Sequence, residues 1–167
     1  MYGVPMKSLE VLEIIANQNN LLISEVHEEK QNSDYEGLIL SLGDHSIRSR
    51  LAKKTPTKSG YFVVAWEKNE YNQNKPFDDK NSPDLLMTSI IDKAKAGLFI
   101  FPKSILIKHK ILNSGNIKGK MAFRVYPSWE NNLNNTAVKT QSWQAPYFVD
   151  LSQRVDSQKI SLLLNQR

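Results

Sequence analysis

Two acid-free stretches hold most of the positive charge of this chain. Residues 45–66 and 93–129 contain no Asp or Glu, yet they carry 13 of the 22 Lys and Arg residues. All 17 acidic residues lie elsewhere in the chain. A surface that needs only to stay in solution intersperses the two signs, whereas a segregated positive surface attracts a polyanion. The pattern therefore predicts a basic face for a polyanionic partner and a more acidic face opposite it.

The most informative basic string runs from Arg48 to Lys58 and reads RSRLAKKTPTK. Its alternation predicts a strand with basic side chains on one face, followed by a loop rich in hydroxyl groups. Guanidinium, ammonium, hydroxyl and backbone N–H groups are the donors that proteins direct at phosphate oxygens. A solvated strand face is the simpler explanation for a charge run, but 22 residues without an acid favour phosphate binding.

A second string, Pro83-Asp84, has part of a divalent-metal site. Metal-dependent nucleases of the restriction-endonuclease-like class place an Asp on one strand and an acid-x-Lys on the next, where two acids hold the metal. Here Phe101 occupies the second acid position, two residues before Lys103. Asp84 and Lys103 alone make a poor magnesium site, because hard cations prefer several oxygen ligands. The string predicts a degenerate site with no metal and no catalytic residue.

Aromatic residues form the third group with chemical potential, because unpaired bases stack on rings that stand beside cations. Core packing is the simpler explanation for most of them. Trp129 and Trp143 are the better candidates, since each stands among polar residues and Lys139 is close to both in sequence.

Composition excludes several other classes of site. The chain has no Cys, and its three His residues show no metal-ligand spacing, so we expect no metal and a structural or surface role for each His. No glycine pattern of a nucleotide-binding loop occurs, so we expect no cofactor. No apolar run approaches the ~20 residues that span a bilayer. The segment from Met1 to Ser8 lacks an apolar signal, so we expect a cytoplasmic protein without a membrane partner.

The elements that must position these residues form a mixed pattern. Helical spacing predicts a helix over residues 8–19, and a helical or irregular segment follows over residues 21–31. Alternation predicts a hairpin over residues 38–53, and residues 71–82 read as a mobile loop. Further strands are predicted over residues 61–66, 85–91, 98–101 and 121–126, and helices from residue 103 and over residues 134–144. The pattern indicates one mixed α+β (α/β) domain over residues 1–167, with a central mixed β-sheet flanked by helices.

A series of unusual short strings follows in order between residues 35 and 150. They are Tyr35-Glu36-Gly37, Arg48-x-Arg50-x-Ala52-Lys53, Thr55-Pro56-Thr57-Lys58-x-Gly60, Phe62-Val63, Trp66, Gly97-x-Phe99-x-Phe101-Pro102-Lys103, Gly119-Lys120, Arg124-Val125-Tyr126-Pro127-x-Trp129, Lys139-Thr140-Gln141-x-Trp143-Gln144 and Tyr147-Phe148. In these strings the chain resembles the MepB-like family, small bacterial proteins first named from a multidrug-efflux operon.

The resemblance implies a restriction-endonuclease-like fold that binds DNA and RNA while its nuclease acids are degenerate. The position of one proline does not fit a continuous helix near the end of the resemblance. Pro146 interrupts the last predicted helix, and an interior proline costs a helix about 3 kcal/mol. We therefore expect either that the helix ends at Gln144 or that the segment reaching Tyr147 is extended.

Our leading hypothesis is a non-catalytic nucleic-acid-binding protein. It prefers RNA and single-stranded DNA to duplex and reads little sequence, because the chain shows no helix-turn-helix signature. No obligate protein partner is inferred. The predicted phosphate contacts are Arg48, Arg50, Lys53, Lys58, Lys103, Lys120 and Arg124, with Lys139 and Trp143 near the rim of the same face.

Two other functions remain open at this point. One is a divalent-metal-dependent nuclease whose acids come from other positions. Its candidate ligands are Glu36, Asp84, Asp44 and Asp92. The other is a regulator of drug response that binds an acidic protein or a small molecule, to which the operon association points.

Overall fold

The computed structural model of the chain describes residues 6–166, so most of the Met1 to Ser8 segment lies outside the described residues. Four α-helices, two 3₁₀-helices and eleven strands follow along these residues. In chain order they are α1 (Lys7–Gln18), β1 (Ile23–Glu28), a 3₁₀-helix (Lys30–Tyr35), β2 (Leu38–Leu42), β3 (His45–Leu51), β4 (Lys53–Lys54), β5 (Tyr61–Val64), β6 (Trp66–Lys68), β7 (Asn74–Pro76), β8 (Leu85–Asp92), β9 (Lys95–Pro102), α2 (Lys103–Lys108), β10 (Ala122–Val125), α3 (Asn135–Gln144), a 3₁₀-helix (Ala145–Tyr147), β11 (Phe148–Asp150) and α4 (Ser157–Leu164).

A six-stranded sheet, here called the main sheet, forms the middle of the fold. Its strand order is β1-β2-β3-β8-β9-β11. All neighbours are antiparallel except β3 and β8, which run parallel. A parallel pair needs a long connection, and residues 52–84 supply it with strands β4 to β7. The predicted mixed α+β class, with a mixed sheet and flanking helices, is confirmed.

Helices α1 and α4 cover one face of the main sheet. Leu9, Leu12, Ile15 and Ala16, which share helical spacing, are all buried there against the apolar residues of the sheet. The predicted amphipathic helix is therefore confirmed, with bounds one residue earlier than expected. No helix within residues 6–166 is both long and apolar enough to cross a bilayer.

A three-stranded sheet of order β10-β5-β4, here called the small sheet, covers the other face. Val63 and Val125 of its inner face are fully buried, in a second core that includes Phe99 and Phe101 of β9. Helices α2 and α3 border this core. The apolar run over residues 61–66 was predicted as a strand, and it forms the central strand of the small sheet and β6.

Two predictions about the connecting segments were wrong. Residues 21–31 were expected to be helical or irregular, but most of them form β1, an edge strand whose alternation is broken by a left-handed residue, Glu25. Residues 71–82 were expected to be a mobile loop, but β7 pairs with β6 there and Phe77 is buried. Of the two alternatives expected at Pro146, the first is confirmed. Helix α3 ends at Gln144, and the 3₁₀-helix Ala145–Tyr147 follows it.

Glu36 anchors the start of α1. Its carboxylate accepts hydrogen bonds from the Ser8 N–H (2.8 Å), the Ser8 hydroxyl (2.6 Å) and the Lys7 N–H (3.3 Å). The first N–H groups of a helix have no partner within the helix, and a carboxylate there also complements the helix dipole. Ser8 is a donor to Glu36 and not the acceptor that caps the helix, so this acid holds the start of α1 in place.

Replacement of Glu36 should destabilise the fold through the loss of this cap. We expect Glu36→Ala to lower the free energy of unfolding by about 1–2 kcal/mol, as for other helix caps. Urea denaturation followed by circular dichroism measures the change. Glu13→Ala removes an exposed carboxylate from the middle of α1 and is the matched control. Equal stability of the two variants would contradict the capping role.

Candidate nucleic-acid interface

Arg48 and Arg50 lie inside the protein, not on its surface. They project from β3 on the same face as Leu86 of the neighbouring β8, towards the second core. The Arg50 side chain is 0% exposed and that of Arg48 is 8% exposed. The prediction that these two residues contact phosphates was therefore wrong, because alternation placed them on one face but tertiary packing covered that face.

A single carboxylate, Glu29, binds both guanidinium groups. Its Oε1 lies 2.7 Å from Arg50 Nη1 and 3.2 Å from Arg48 Nε, while Arg50 Nη2 donates to Asn32 Oδ1 at 2.6 Å. Burial lowers the pKa of Arg50 below its ordinary value, and the charge and hydrogen bond of Glu29 oppose that shift. A Cβ on Gly37 would lie 3.2 Å from Arg50 Nη1 and 3.0 Å from the Glu29 carbonyl, so a larger residue there would force its neighbours to shift by a few tenths of an ångström.

The outer face of the small sheet carries a row of cations and rings. Lys53 of β4 and Arg124 of β10 are both register partners of Phe62 on β5, so the three side chains share a face. The Arg124 Cζ lies 5.7 Å from the centre of the Phe62 ring, and the Lys53 Nζ lies 5.2 Å from the centre of the Tyr35 ring. The two rings are 6.1 Å apart and only half-buried. We call these four residues the sheet platform.

Arg124 also fixes the loop that follows β4. Its Nη2 donates to the Thr55 hydroxyl at 2.8 Å and its Nη1 to the Ser59 carbonyl at 3.1 Å. Lys58 is exposed within this loop, beside the residue that Arg124 binds. The structure thus brings Lys53, Lys58 and Arg124, three of the predicted phosphate contacts, into one region.

A cleft of about 230 Å³ opens between the edge of β10 and α3. None of its lining residues is acidic. They are His109, Ile111, Lys120, Phe123, Arg124, Tyr126, Thr140 and Trp143. Lys120 enters the lining because Gly119 passes close to the preceding turn, where a Cβ would meet the Ile111 carbonyl at 2.3 Å. We call this site the basic cleft, and Arg124 belongs both to it and to the sheet platform.

His109 is the residue of the basic cleft that sequence reasoning missed. Its imidazole stacks on Trp143, with ring centres 4.0 Å apart and planes 9° from parallel. Burial lowers the pKa of His109 below its ordinary value, and the charges of Lys108 and Lys120 lower it further, so the ring is neutral at pH 7. No sequence signal links two residues so far apart in the chain. The imidazole therefore covers one face of the Trp143 ring.

The remaining residues predicted to contact nucleic acid are Lys139, Lys103 and Trp129, and none of them belongs to the ion-pair cluster of Glu29. Lys139 is exposed one helical turn before Trp143 on α3, close to the rim of the basic cleft. Lys103 is the first residue of α2, and its N–H donates to the Asp84 carbonyl at 3.0 Å. Trp129, also a stacking candidate, instead packs edge-on against Tyr61 and Phe148 and donates its indole N–H to the Tyr61 hydroxyl.

The acidic residues that a nuclease would need do not converge. Asp84 is exposed just before β8, while Phe101, on the neighbouring strand β9, is fully buried in the second core. Glu36 caps α1, and Asp92 accepts a 2.7 Å hydrogen bond from the Tyr61 hydroxyl, which holds the pKa of Asp92 below its usual range. Within residues 6–166, no three His, Asp or Glu side chains are grouped to hold a metal ion.

Comparison with known proteins gives a consistent answer for most of the chain. A family model described as MepB-like matches residues 29–150. The crystal structure of MepB matches with a TM-score of 0.78 and 44% identity, covering 90% of this chain and 100% of that chain. The structure of a bacterial homing endonuclease, I-Ssp6803I, matches with a TM-score of 0.49 and 11% identity over 83% of this chain and 86% of that one, which carries no argument about function. No curated protein matches the chain significantly.

The ion-pair cluster of Glu29 gives a second stability prediction. Glu29→Ala leaves two guanidinium groups buried without a counter-charge, so we expect a loss of about 3–5 kcal/mol in the free energy of unfolding. Chemical denaturation measures it, and Glu29→Gln provides a milder variant should the first fail to fold. Glu28→Ala, an exposed neighbour on β1, is the control and should change stability by about 0.5 kcal/mol or less. A small effect at Glu29 would mean that the cluster is not structural.

Proposed function

The chain belongs to the MepB-like family, and we propose that it is a nucleic-acid-binding protein that does not cleave its ligand. The ligand is RNA or single-stranded DNA in preference to duplex, bound with little sequence specificity. Binding needs no metal or cofactor, and the protein acts in the cytoplasm. The sheet platform, with Lys53, Phe62 and Arg124 in one row and Tyr35 beside it, is the observation that supports this proposal most directly.

The chemistry of the sheet platform fits a single strand. Half-exposed rings offer faces on which unpaired bases stack, and stacking tolerates any base because each has a π-face. The ammonium of Lys53 and the guanidinium of Arg124 flank the Phe62 ring, where the phosphates of a stacked strand would run. Bases within a duplex are stacked on each other and cannot reach such rings, so the platform favours single strands.

The positions of the acids favour binding over cleavage. A two-metal or one-metal nuclease needs several carboxylate oxygens around one point. Here Glu36 is bonded to the start of α1 and Asp92 to Tyr61, and Phe101 occupies the position of a second ligand beside Asp84. These contacts support the proposal that Glu36 and Asp92 stabilise the fold and do not hold a catalytic metal.

The basic cleft is itself a poor site for a drug-sized molecule. Pockets for drug-sized molecules enclose about 300–1,000 Å³ and are mostly apolar. The basic cleft is smaller, at about 230 Å³, and two cations line it. A pull-down distinguishes the proposed function from that of a regulator that binds an acidic protein. A regulator of this kind would recover one acidic protein and no nucleic acid.

The sheet platform predicts the effect of removing one ring. Phe62→Leu keeps an apolar side chain but loses the stacking face, so we expect binding of a labelled single-stranded oligonucleotide to weaken roughly 5- to 150-fold, the equivalent of about 1–3 kcal/mol for one stacked base. Fluorescence anisotropy measures the affinity. Tyr71→Leu, which alters an exposed ring outside the platform, is the control.

Salt dependence tests the phosphate contacts in the same assay. Each phosphate contact to a single strand contributes about 0.7 to the slope of log affinity against log salt. Lys53→Met should reduce the slope by about that amount, whereas Lys30→Met, outside the two acid-free stretches, should leave it unchanged. An affinity that does not respond to salt would refute the proposed function.

The same ligand should survive incubation with divalent metal. Because the carboxylates do not converge, we expect a labelled RNA or single-stranded DNA to remain intact with Mg²⁺ or Mn²⁺, as judged on a denaturing gel. Metal-dependent loss of intact strand that disappears in Asp84→Ala would establish a nuclease instead.

A further inference from the structure

We propose that the basic cleft binds a phosphate monoester, the group at the end of a 5′- or 3′-phosphorylated strand. This inference rests on the proposed function, and it deepens it by adding a site that recognises a strand end. The same chemistry occurs in a free nucleoside monophosphate, and the experiment below separates the two sources.

The charges around the basic cleft match a dianion better than an internal phosphate. Lys120 and Arg124 supply two positive charges, and no lining residue is acidic. A phosphate monoester carries about −1.5 to −2 at pH 7, whereas a phosphodiester within a strand carries a single negative charge. A site with two cations and no acid therefore gains most from a terminal phosphate.

Donors remain available inside the basic cleft. Among the contacts within residues 6–166, the Lys120 ammonium and the Tyr126 hydroxyl have no hydrogen-bond or ion-pair partner. Arg124 uses one N–H on Thr55 and one on Ser59, which leaves further guanidinium N–H groups unused. Residues that carry an ammonium, a guanidinium and a hydroxyl group line this cleft, and such groups are suitable donors for phosphate oxygens.

The walls of the basic cleft are fixed relative to each other. Gln144 of α3 is fully buried, accepts a hydrogen bond from the Tyr126 N–H at 2.9 Å and donates to the Arg124 carbonyl at 2.9 Å. These bonds occupy the free edge of β10 as a neighbouring strand would. A volume of about 230 Å³ accommodates a phosphate with part of its nucleotide. Such a cleft can hold the end of a strand without the rest of the strand entering it.

His109 couples the basic cleft to pH. The charged groups that act on its imidazole are Lys108 at the end of α2 and Lys120 before β10, with Arg124 of β10 and the Tyr126 hydroxyl also in the lining, while α3 presents the uncharged Trp143 ring. A bound dianion offsets these positive charges and favours the imidazolium, so binding takes up a proton. His109 should therefore increase the preference for the phosphorylated end as pH falls from about 8 towards 6.5, against the smaller opposite effect of protonating the phosphate, whose second pKa is about 6.

The test compares one short single-stranded oligonucleotide in 5′-phosphorylated, 3′-phosphorylated and unphosphorylated forms. We expect one phosphorylated form to bind about 10-fold more tightly, which corresponds to about 1.4 kcal/mol. Lys120→Met should abolish this preference while the unphosphorylated strand still binds through the sheet platform. Lys118→Met, an exposed lysine two residues away that does not line the cleft, is the matched control and should keep the preference.

The role of His109 is tested by His109→Phe, which keeps a ring on Trp143 but cannot take up a proton. This variant should retain a preference for the phosphorylated strand that no longer increases as pH falls, because only the titration of the phosphate remains. A pH dependence unchanged by the substitution would overturn the coupling.

The outcomes separate this inference from the proposed function. Equal affinity for all three oligonucleotides would refute the phosphate site and leave nucleic-acid binding intact. Binding of a nucleoside 5′-monophosphate, lost in Lys120→Met, without binding of any oligonucleotide would support the site and refute the proposed function. No binding of any of these probes would refute both.

Discussion

The layered fold depends on the ion pairs that Glu29 makes with Arg48 and Arg50. These bonds join the end of β1 to β3, a central strand of the main sheet, and Asn32 extends them into the following 3₁₀-helix. Removal of two guanidinium groups from water is costly, and the single oxygen Glu29 Oε1, which accepts from both arginines, offsets part of that cost. Because Tyr35 ends that 3₁₀-helix, the buried charges also determine where one ring of the sheet platform stands.

The acid-free stretches turn out to serve two different purposes. In the first stretch, Arg48 and Arg50 build the interior, whereas Lys53 and Lys58 remain on the surface. In the second, Lys120 and Arg124 line the basic cleft, and Arg124 joins that cleft to the sheet platform. Segregated charge in this sequence therefore has two structural outcomes, a buried ion-pair cluster whose acid comes from another segment and a positively charged surface.

Several residues that carry the family resemblance act by positioning others. Gly37 leaves room for the Arg50 guanidinium, and Gly119 allows the backbone approach that delivers Lys120 to the basic cleft. Gln144 ties α3 to β10, so that Trp143 and Arg124 stay on opposite sides of one opening. The strings that recur in such a family thus describe the frame of a site as much as the groups that would touch a ligand.

Much of the fold followed from local patterns. Alternation predicted the hairpin of β2 and β3 and helical spacing predicted α1, because these periods reflect one buried face of each element. Apolar runs of strand length predicted β8 and β9, which are buried along most of their length. Sequence patterns did not predict β1, which is a polar edge strand with a bulge, or the pairing of β7 and the burial of Phe77 in the segment expected to be a loop. No local sequence pattern showed which other layer of the fold packs over a given face of a strand or helix. Burial of Arg48 and Arg50, the use of Glu36 as a cap and the stacking of His109 on Trp143 all join residues distant in sequence, so only the packing of the main sheet against its two neighbouring layers decided them.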